Sequence, residues 1–181
     1  MDLTLILGPM KSGKSYDLIS FFAPLQYTDI PFALYQPTRN VRDEQIQSRN
    51  GIGINAQKIT SLKEIIPTSA RIIGIDELHM FEAEDVSHIE QLLHEGIKII
   101  ASGLDLDYQG KMFAPIQRLL ELGPKEVRYR RAVCEICKSP EATHSQVLEN
   151  STPLTSGMPP TIPDDGTFDY QARCRKCFVR I

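Results

Sequence analysis

Apolar residues fall along this chain in blocks rather than in strict alternation. The run "LTLIL" (3–7) is apolar at nearly every position. That is the signature of a strand covered on both faces, since a strand with one wet face would alternate. "FALYQP" (32–37), "RIIGID" (71–76) and "IKIIASG" (97–103) have the same character. Between these runs the period changes. A helix is predicted from Lys14 to about Gln26, with Pro24 near its end. From Glu82 to Glu95, Val86, Ile89, Leu92 and Leu93 recur at helical spacing and Gly96 supplies a stop. "PIQRLLEL" (115–122) predicts a short helix, and "KEVRYRRAV" (125–133) alternates as a strand does. Strands alternating with helices predict an α/β fold, a mostly parallel sheet flanked by helices.

After about residue 132 the pattern breaks. Long apolar runs give way to two CxxC pairs and to "NSTPLTSGMPPTIPDDG" (150–166), whose Pro, Gly, Ser and Thr read as a long exposed loop. Loops of that length in a small chain are functional or disordered. The expected division is therefore 1–131 for the α/β part and 132–181 for a smaller C-terminal part. No repeat of solenoid period is present.

Composition acts here mainly by exclusion. With 181 residues, 41% apolar and 24% charged, the chain suits a compact globular protein. A net charge of −3 argues against nucleic acid as an obligate partner, because duplex binding needs a basic face. The longest apolar runs are too short to cross a bilayer. Asp2 leads straight into a strand-like segment, so no signal peptide is visible. A cytoplasmic protein with no membrane partner is expected, and in that setting four cysteines suggest metal or free thiols before disulfides.

The candidate chemistry begins with "GPMKSGKS", residues Gly8, Pro9, Met10, Lys11, Ser12, Gly13, Lys14 and Ser15. It fits the phosphate-loop pattern, and it stands between a strand and a helix, as that pattern requires. Glycines let backbone N–H groups turn toward phosphate oxygens, and the helix N-terminus adds its positive end. Lys14 is expected to reach the β- and γ-phosphates of ATP, and Ser15 to ligate Mg²⁺. "RIIGIDE" sets Asp76 and Glu77 at the end of an apolar strand, so Asp76 is a second Mg²⁺ candidate and Glu77 a candidate general base. Ligands of open parallel sheets collect at the carboxyl ends of strands, so both motifs should share one edge. Lys11 is not needed for the cradle. It is expected in solvent, with phosphate as the other partner open to it.

Cys134, Cys137, Cys174 and Cys177 form two knuckles whose four thiolates suit a tetrahedral, structural Zn²⁺. The long loop becomes an insertion pinned by the metal. Iron–sulfur ligation, two disulfides, or replacement of one ligand by His144 are the alternatives.

In combination the chain resembles the type II thymidine kinase family, phosphate-loop kinases that phosphorylate thymidine with ATP and carry a zinc-bearing lasso. The likeness runs through "LILGPMKSGKSYDLI", "QPTRNVRDEQIQSRNG", "IGIDELHMFE", "ASGLDLDYQGKMFAPIQRLLEL", "RAVCEICKSPEATHSQ" and "DYQARCRKCF". It implies a RecA-like phosphate-loop sheet plus a small zinc ribbon with a lasso loop. It also implies Glu77 as the base that takes the 5′-hydroxyl proton, and Arg42 as the residue steadying the transferring phosphoryl group. By the same resemblance Met10, Leu104, Tyr108, Phe113 and Tyr170 line a pyrimidine deoxynucleoside pocket, and the assembly is a homotetramer. The chain departs from the family at Lys11, usually phenylalanine, at Asn40, usually aspartate, and at Leu78, His79 and Met80, where "DELHMF" replaces "DEAQFF". "CKSPEATHSQ" carries one apparent extra residue, which leaves open which residue of Thr143–Ser145 matches the family's base-contacting threonine. Two other functions stay open: a kinase for another nucleoside such as deoxyuridine, and a zinc-ribbon nucleic-acid-binding ATPase using "KEVRYRR" as a basic stripe.

Overall fold

A computed structural model of the chain describes residues 2–40, 45–48, 51–67, 69–162 and 166–180. In chain order its elements are β1 (Leu3–Leu7), α1 (Lys14–Phe22), β2 (Phe32–Pro37), β3 (Ile46–Gln47), β4 (Gly53–Ile54), β5 (Gln57–Ile59), β6 (Ile72–Ile75), α2 (Val86–His94), β7 (Lys98–Gly103), α3 (Ala114–Glu121), β8 (Glu126–Tyr129), β9 (Ala142–Glu149), β10 (Thr152–Pro153) and β11 (Asp169–Cys174). Six strands form one sheet in the order β5-β2-β6-β7-β1-β8, and every neighbouring pair is parallel.

The blocks of apolar sequence follow from this layering. Successive side chains of a strand point to opposite faces. Leu3, Leu5 and Leu7 join Ile73, Ile75 and Ile99 under α2 and α3, where Ile89, Leu92, Ile116 and Leu119 complete one core. Ile6, Ile100 and Leu34 face the other way, onto Leu18, Ile19 and Phe22 of α1 and onto the β3–β4 hairpin through Ile46 and Ile54. Both faces are therefore dry. Each such leucine or isoleucine contributes about 1.5–3 kcal/mol of burial.

The first two predicted helices are shorter than expected, while α3 matches its predicted length. α1 stops at Phe22 and continues as a 3-10 turn, Ala23–Tyr27, because Pro24 cannot carry on the α ladder. The segment before α2 is likewise a 3-10 turn, Ala83–Asp85.

The C-terminal part is a separate three-stranded antiparallel sheet, β10-β9-β11. Its Ala132↔Ala142 bridge leads out of the main sheet's last connection. The long loop is not wholly irregular: Thr152 and Pro153 pair with Glu149 and Leu148, and Tyr108, Val147 and Ile162 form a small core beneath it. Among the described residues no helix is long and apolar enough to cross a membrane.

Candidate functional site

β1 delivers its last residue, Leu7, into the glycine loop at the carboxyl edge of the sheet. Gly8 has φ 145° and a Cβ there would stand 2.3 Å from the Arg130 carbonyl oxygen, so no other residue fits. Gly13, at φ 83°, caps α1. The loop is laced internally: Ser12 Oγ and Lys14 Nζ each donate to the Pro9 carbonyl at 2.8 Å. Residues 10–16 line a cavity of about 140 Å³ together with Gln47, Ser48 and Glu77. The two motifs expected to share an edge do so.

Asp76 follows β6 directly and is buried. Ser102 Oγ donates to its Oδ1, and the Ser15 hydroxyl also hydrogen-bonds it. Burial, then the Glu77 charge, push the Asp76 carboxyl up to about 6, against the pull of these hydroxyls. Glu77 takes a left-handed backbone conformation, φ 49° and ψ 40°, at the start of the 3-10 turn Leu78–Met80. A non-glycine residue held there is strained, a feature that clusters at functional sites. Asp76 and the Ser15 hydroxyl are hard oxygen donors, the set that suits Mg²⁺.

His79 is buried beside this pair. Its Nδ1 accepts from the Leu104 N–H at 3.3 Å and lies 3.5 Å from Glu77 Oε2, and its ring packs on Phe113 with centroids 4.8 Å apart. Burial, with a smaller contribution from the Lys14 charge, lowers its pKa to about 3, so the imidazole is neutral. Accepting at Nδ1 assigns its proton to Nε2.

A second, smaller cavity of about 30 Å³ is lined by Leu104, Tyr108, Phe113 and Tyr170, four of the five residues expected around a base, with His79, Ser145 and Ile162 among the rest. Tyr108 and Tyr170 are fixed by donating to the Met158 and Ile162 carbonyls, at 2.8 and 3.0 Å. Met10, the fifth, lines the phosphate-loop cavity instead; its N–H donates to Ser145 Oγ at 2.9 Å, linking the two cavities. Ser145 shares one face of β9 with Val147, but no alternation in "ATHSQVLE" marks that face, since His144 and Gln146 on the other face are buried too. Arg42 lies outside the described residues.

Lys11 corrects an expectation. It is not left to solvent: Nζ meets Glu135 Oε1 at 2.6 Å, and the same oxygen accepts the Ala172 N–H at 2.9 Å. Glu135 stands inside the first cysteine knuckle, 124 residues away, which no local pattern could announce.

The four cysteines converge, with all Sγ atoms within 4.8 Å of one another and Cys137 and Cys174 at 3.6 Å. A tetrahedron of Zn–S bonds needs sulfurs about 3.8 Å apart, so the cluster fits zinc. Burial pushes the Cys134 thiol up, but N–H groups of Cys137, Cys174 and Ile136 outweigh it and bring it down to about 6. The thiols are unbridged. His144 is not part of the cluster: it is buried, stacked on Phe178 at 4.4 Å, and bonded to Thr143 and Arg180. The cations of the "KEVRYRR" stripe are each matched by a carboxylate. Lys125 pairs with Asp2, Arg128 with Glu126, Arg130 with Asp17 and Arg131 with Glu141.

Comparison with known proteins converges on one family. The sequence model of the thymidine kinase family matches residues 1–178. A thymidine kinase of Mesomycoplasma hyopneumoniae (strain 7448) is 33% identical over 181 residues, covering 97% of this chain and 94% of that protein. One from Mycoplasma mobile is 33% identical over 182 residues, 98% of this chain and 86% of that protein. One from Chloroflexus aurantiacus (strain ATCC 29366 / DSM 635 / J-10-fl) is 32% identical over 183 residues, with coverage of 97% and 93%.

Proposed function

The chain belongs to the thymidine kinase family and is an ATP-dependent thymidine kinase; we propose that its transfer chemistry is carried by Lys14, Ser15, Asp76 and Glu77 at the sheet edge. The observation that carries this assignment is the cavity that phosphate-loop residues 10–15 share with Glu77.

Lys14 and the loop N–H groups hold the triphosphate, and Ser15 with Asp76 would hold Mg²⁺. When bound, the ion would neutralise phosphate charge. Glu77 accepts the proton of the thymidine 5′-hydroxyl as that oxygen attacks the γ-phosphorus, and the bond to the β-phosphate oxygen breaks to release ADP. His79, neutral and buried, adds no positive charge of its own beside Glu77. Arg42 is assigned to the transferring phosphoryl group by resemblance alone.

The nucleoside base is assigned to the cavity of Leu104, Tyr108, Phe113 and Tyr170, with Met10 at its junction with the loop. At about 30 Å³ that cavity is too small for a base as it stands, so its walls must move apart to admit one. The four-thiolate cluster is assigned structural zinc, since four sulfur ligands leave no open position for water. Residues 1–131 and 132–181 are read as the catalytic and zinc-ribbon units, a division supported by their separate sheets. The reading extends to a cytoplasmic homotetramer, for which exposed Tyr129, Val133 and Ile136 offer apolar contact surface.

The test is transfer from ATP to thymidine by the purified protein, with dTMP expected as product and deoxyuridine and purine nucleosides as competitors. Product from deoxyuridine but not thymidine would move the acceptor; no product from any deoxynucleoside would sink the kinase mechanism.

A further inference from the structure

We propose that Arg130 binds the donor nucleotide at its α-phosphate and ribose end. The proposal rests on the phosphate-loop reading above and deepens it, by naming a cation outside the loop that the glycine pattern does not include.

The position of Arg130 is set by main chain rather than by chance. Its N–H donates to the Leu7 carbonyl at 2.7 Å, extending the pairing with β1 one residue past the end of β8. Its own carbonyl closes against Gly8, the residue that opens the loop. From that anchor the side chain runs across the start of α1. Nε lies 3.3 Å from Asp17 Oδ2, on the first turn of the helix, and one terminal nitrogen stands 3.9 Å from where a Cβ on Gly13 would be. The carboxylate lies on the Nε side of the guanidinium, while one terminal nitrogen stands near the loop's last glycine. An arginine fork oriented this way is suited to a phosphate oxygen.

The direction of transfer says which phosphate. Glu77, the proposed base, lines the loop cavity, so the γ-phosphoryl group leaves toward it. The remainder of the donor must then emerge at the far end of the loop, past Gly13 and along the α1 N-terminus at Ser15 and Tyr16. Arg130 is not among the residues lining the cavity; its side chain lies outside it, beside Gly13 and Asp17 at the start of α1. Its side chain is about half exposed, 46%, so it is open to a ligand, whereas Asp17 is mostly covered at 17%.

A plainer role would be to anchor α1 by pairing with Asp17. Two substitutions separate the roles. In calorimetric titrations, Arg130→Gln is expected to weaken both ATP and ADP by about tenfold, the loss of one charge-assisted contact. Arg130→Lys recovers part of that loss. Asp17→Asn, which removes the anchor but keeps the guanidinium, leaves both nucleotides within about twofold of the native chain or tightens them. In steady-state assays Arg130→Gln raises KM for ATP without changing kcat at saturating ATP or KM for thymidine. Equal weakening by Asp17→Asn and Arg130→Gln would overturn the proposal in favour of helix anchoring. Weakened ATP with unchanged ADP would overturn the placement at the α-phosphate end, and unchanged ATP affinity would remove Arg130 from the donor site. Failure of the native chain to bind ATP would instead strike the phosphate-loop reading itself.

Discussion

Glu77 illustrates how much one residue is made to bear. Its left-handed backbone costs a non-glycine residue about 1–3 kcal/mol, and that cost is held by the buried strand before it and the 3-10 turn after it. Glu77→Gln keeps the shape and removes the basicity. Turnover should fall by about 10²–10⁴-fold while ATP affinity stays close to native; near-native turnover in a stopped-time assay would take Glu77 out of the base role. Its neighbour Asp76 makes a prediction about pH. Because its carboxyl is raised to about 6 by burial and by Glu77, the folded chain holds this proton more tightly than the unfolded chain does. Its contribution to stability is therefore fully present below about pH 4 and is lost as pH rises through about 6. Asp76→Asn cannot ionise and escapes that loss. The melting temperature of the variant relative to the native chain, measured without nucleotide, should climb between those pH values and level off above them, while Mg²⁺-dependent turnover is abolished. A difference that does not vary with pH would show that the carboxyl is not so perturbed.

At the scale of elements, β6 depends on one glycine. A Cβ at Gly74 would stand 2.3 Å from a Leu34 methyl and 2.6 Å from the Phe22 ring, so α1 packs against the strand only because that position is bare. Gly74→Ala should destabilise by about 1–3 kcal/mol, the cost of overpacking, read as a lower urea midpoint at unchanged slope. Since β6 carries Asp76 and Glu77, turnover should fall with it; an unchanged midpoint would mean the core yields freely. Four strands of the main sheet, β1, β2, β6 and β7, were legible because burial on both faces makes them continuous apolar words, as in "LTLIL" and "IKIIASG"; β8, mostly exposed, was read from alternation, and the three-residue β5 was not read. β9 and β11 were not, because they spend buried positions on polar residues: His144, Ser145 and Gln146 are covered, and Gln146 Oε1 accepts the Val179 N–H at 2.8 Å. The two-residue strands β3, β4 and β10 are too short to have a period. In the site, contiguous motifs such as 8–15 and 76–77 were readable, whereas partners brought together by the fold were not: Glu135 for Lys11, Ser145 for the Met10 N–H, Arg130 beside Gly13.

Those long-range partners join the phosphate loop to the C-terminal sheet at the scale of the whole molecule. Met10 and Lys11, consecutive residues of the loop, bond to Ser145 on β9 and to Glu135 in the first cysteine knuckle. Glu135 is itself held against β11, its N–H donating to the Ala172 carbonyl at 2.9 Å and its carboxylate accepting the Ala172 N–H. The thiolate cluster clamps the same two segments, because Cys134 and Cys137 flank Glu135 and Cys174 ends β11. Metal loss should therefore reach the donor site as well as the lasso. Cys174→Ser is expected to lose zinc by elemental analysis and to weaken both thymidine and ATP, with ATP affected about tenfold or less, the range of a partly exposed ion pair. Glu135→Gln cuts the link from the other side. Combined with Cys174→Ser it should weaken ATP by less than the product of the two single effects, the non-additivity expected of groups in one network. Strict additivity, or ATP affinity unchanged in a zinc-free Cys174→Ser protein, would show that the phosphate loop holds its shape without the knuckle and that the Lys11–Glu135 pair is surface decoration.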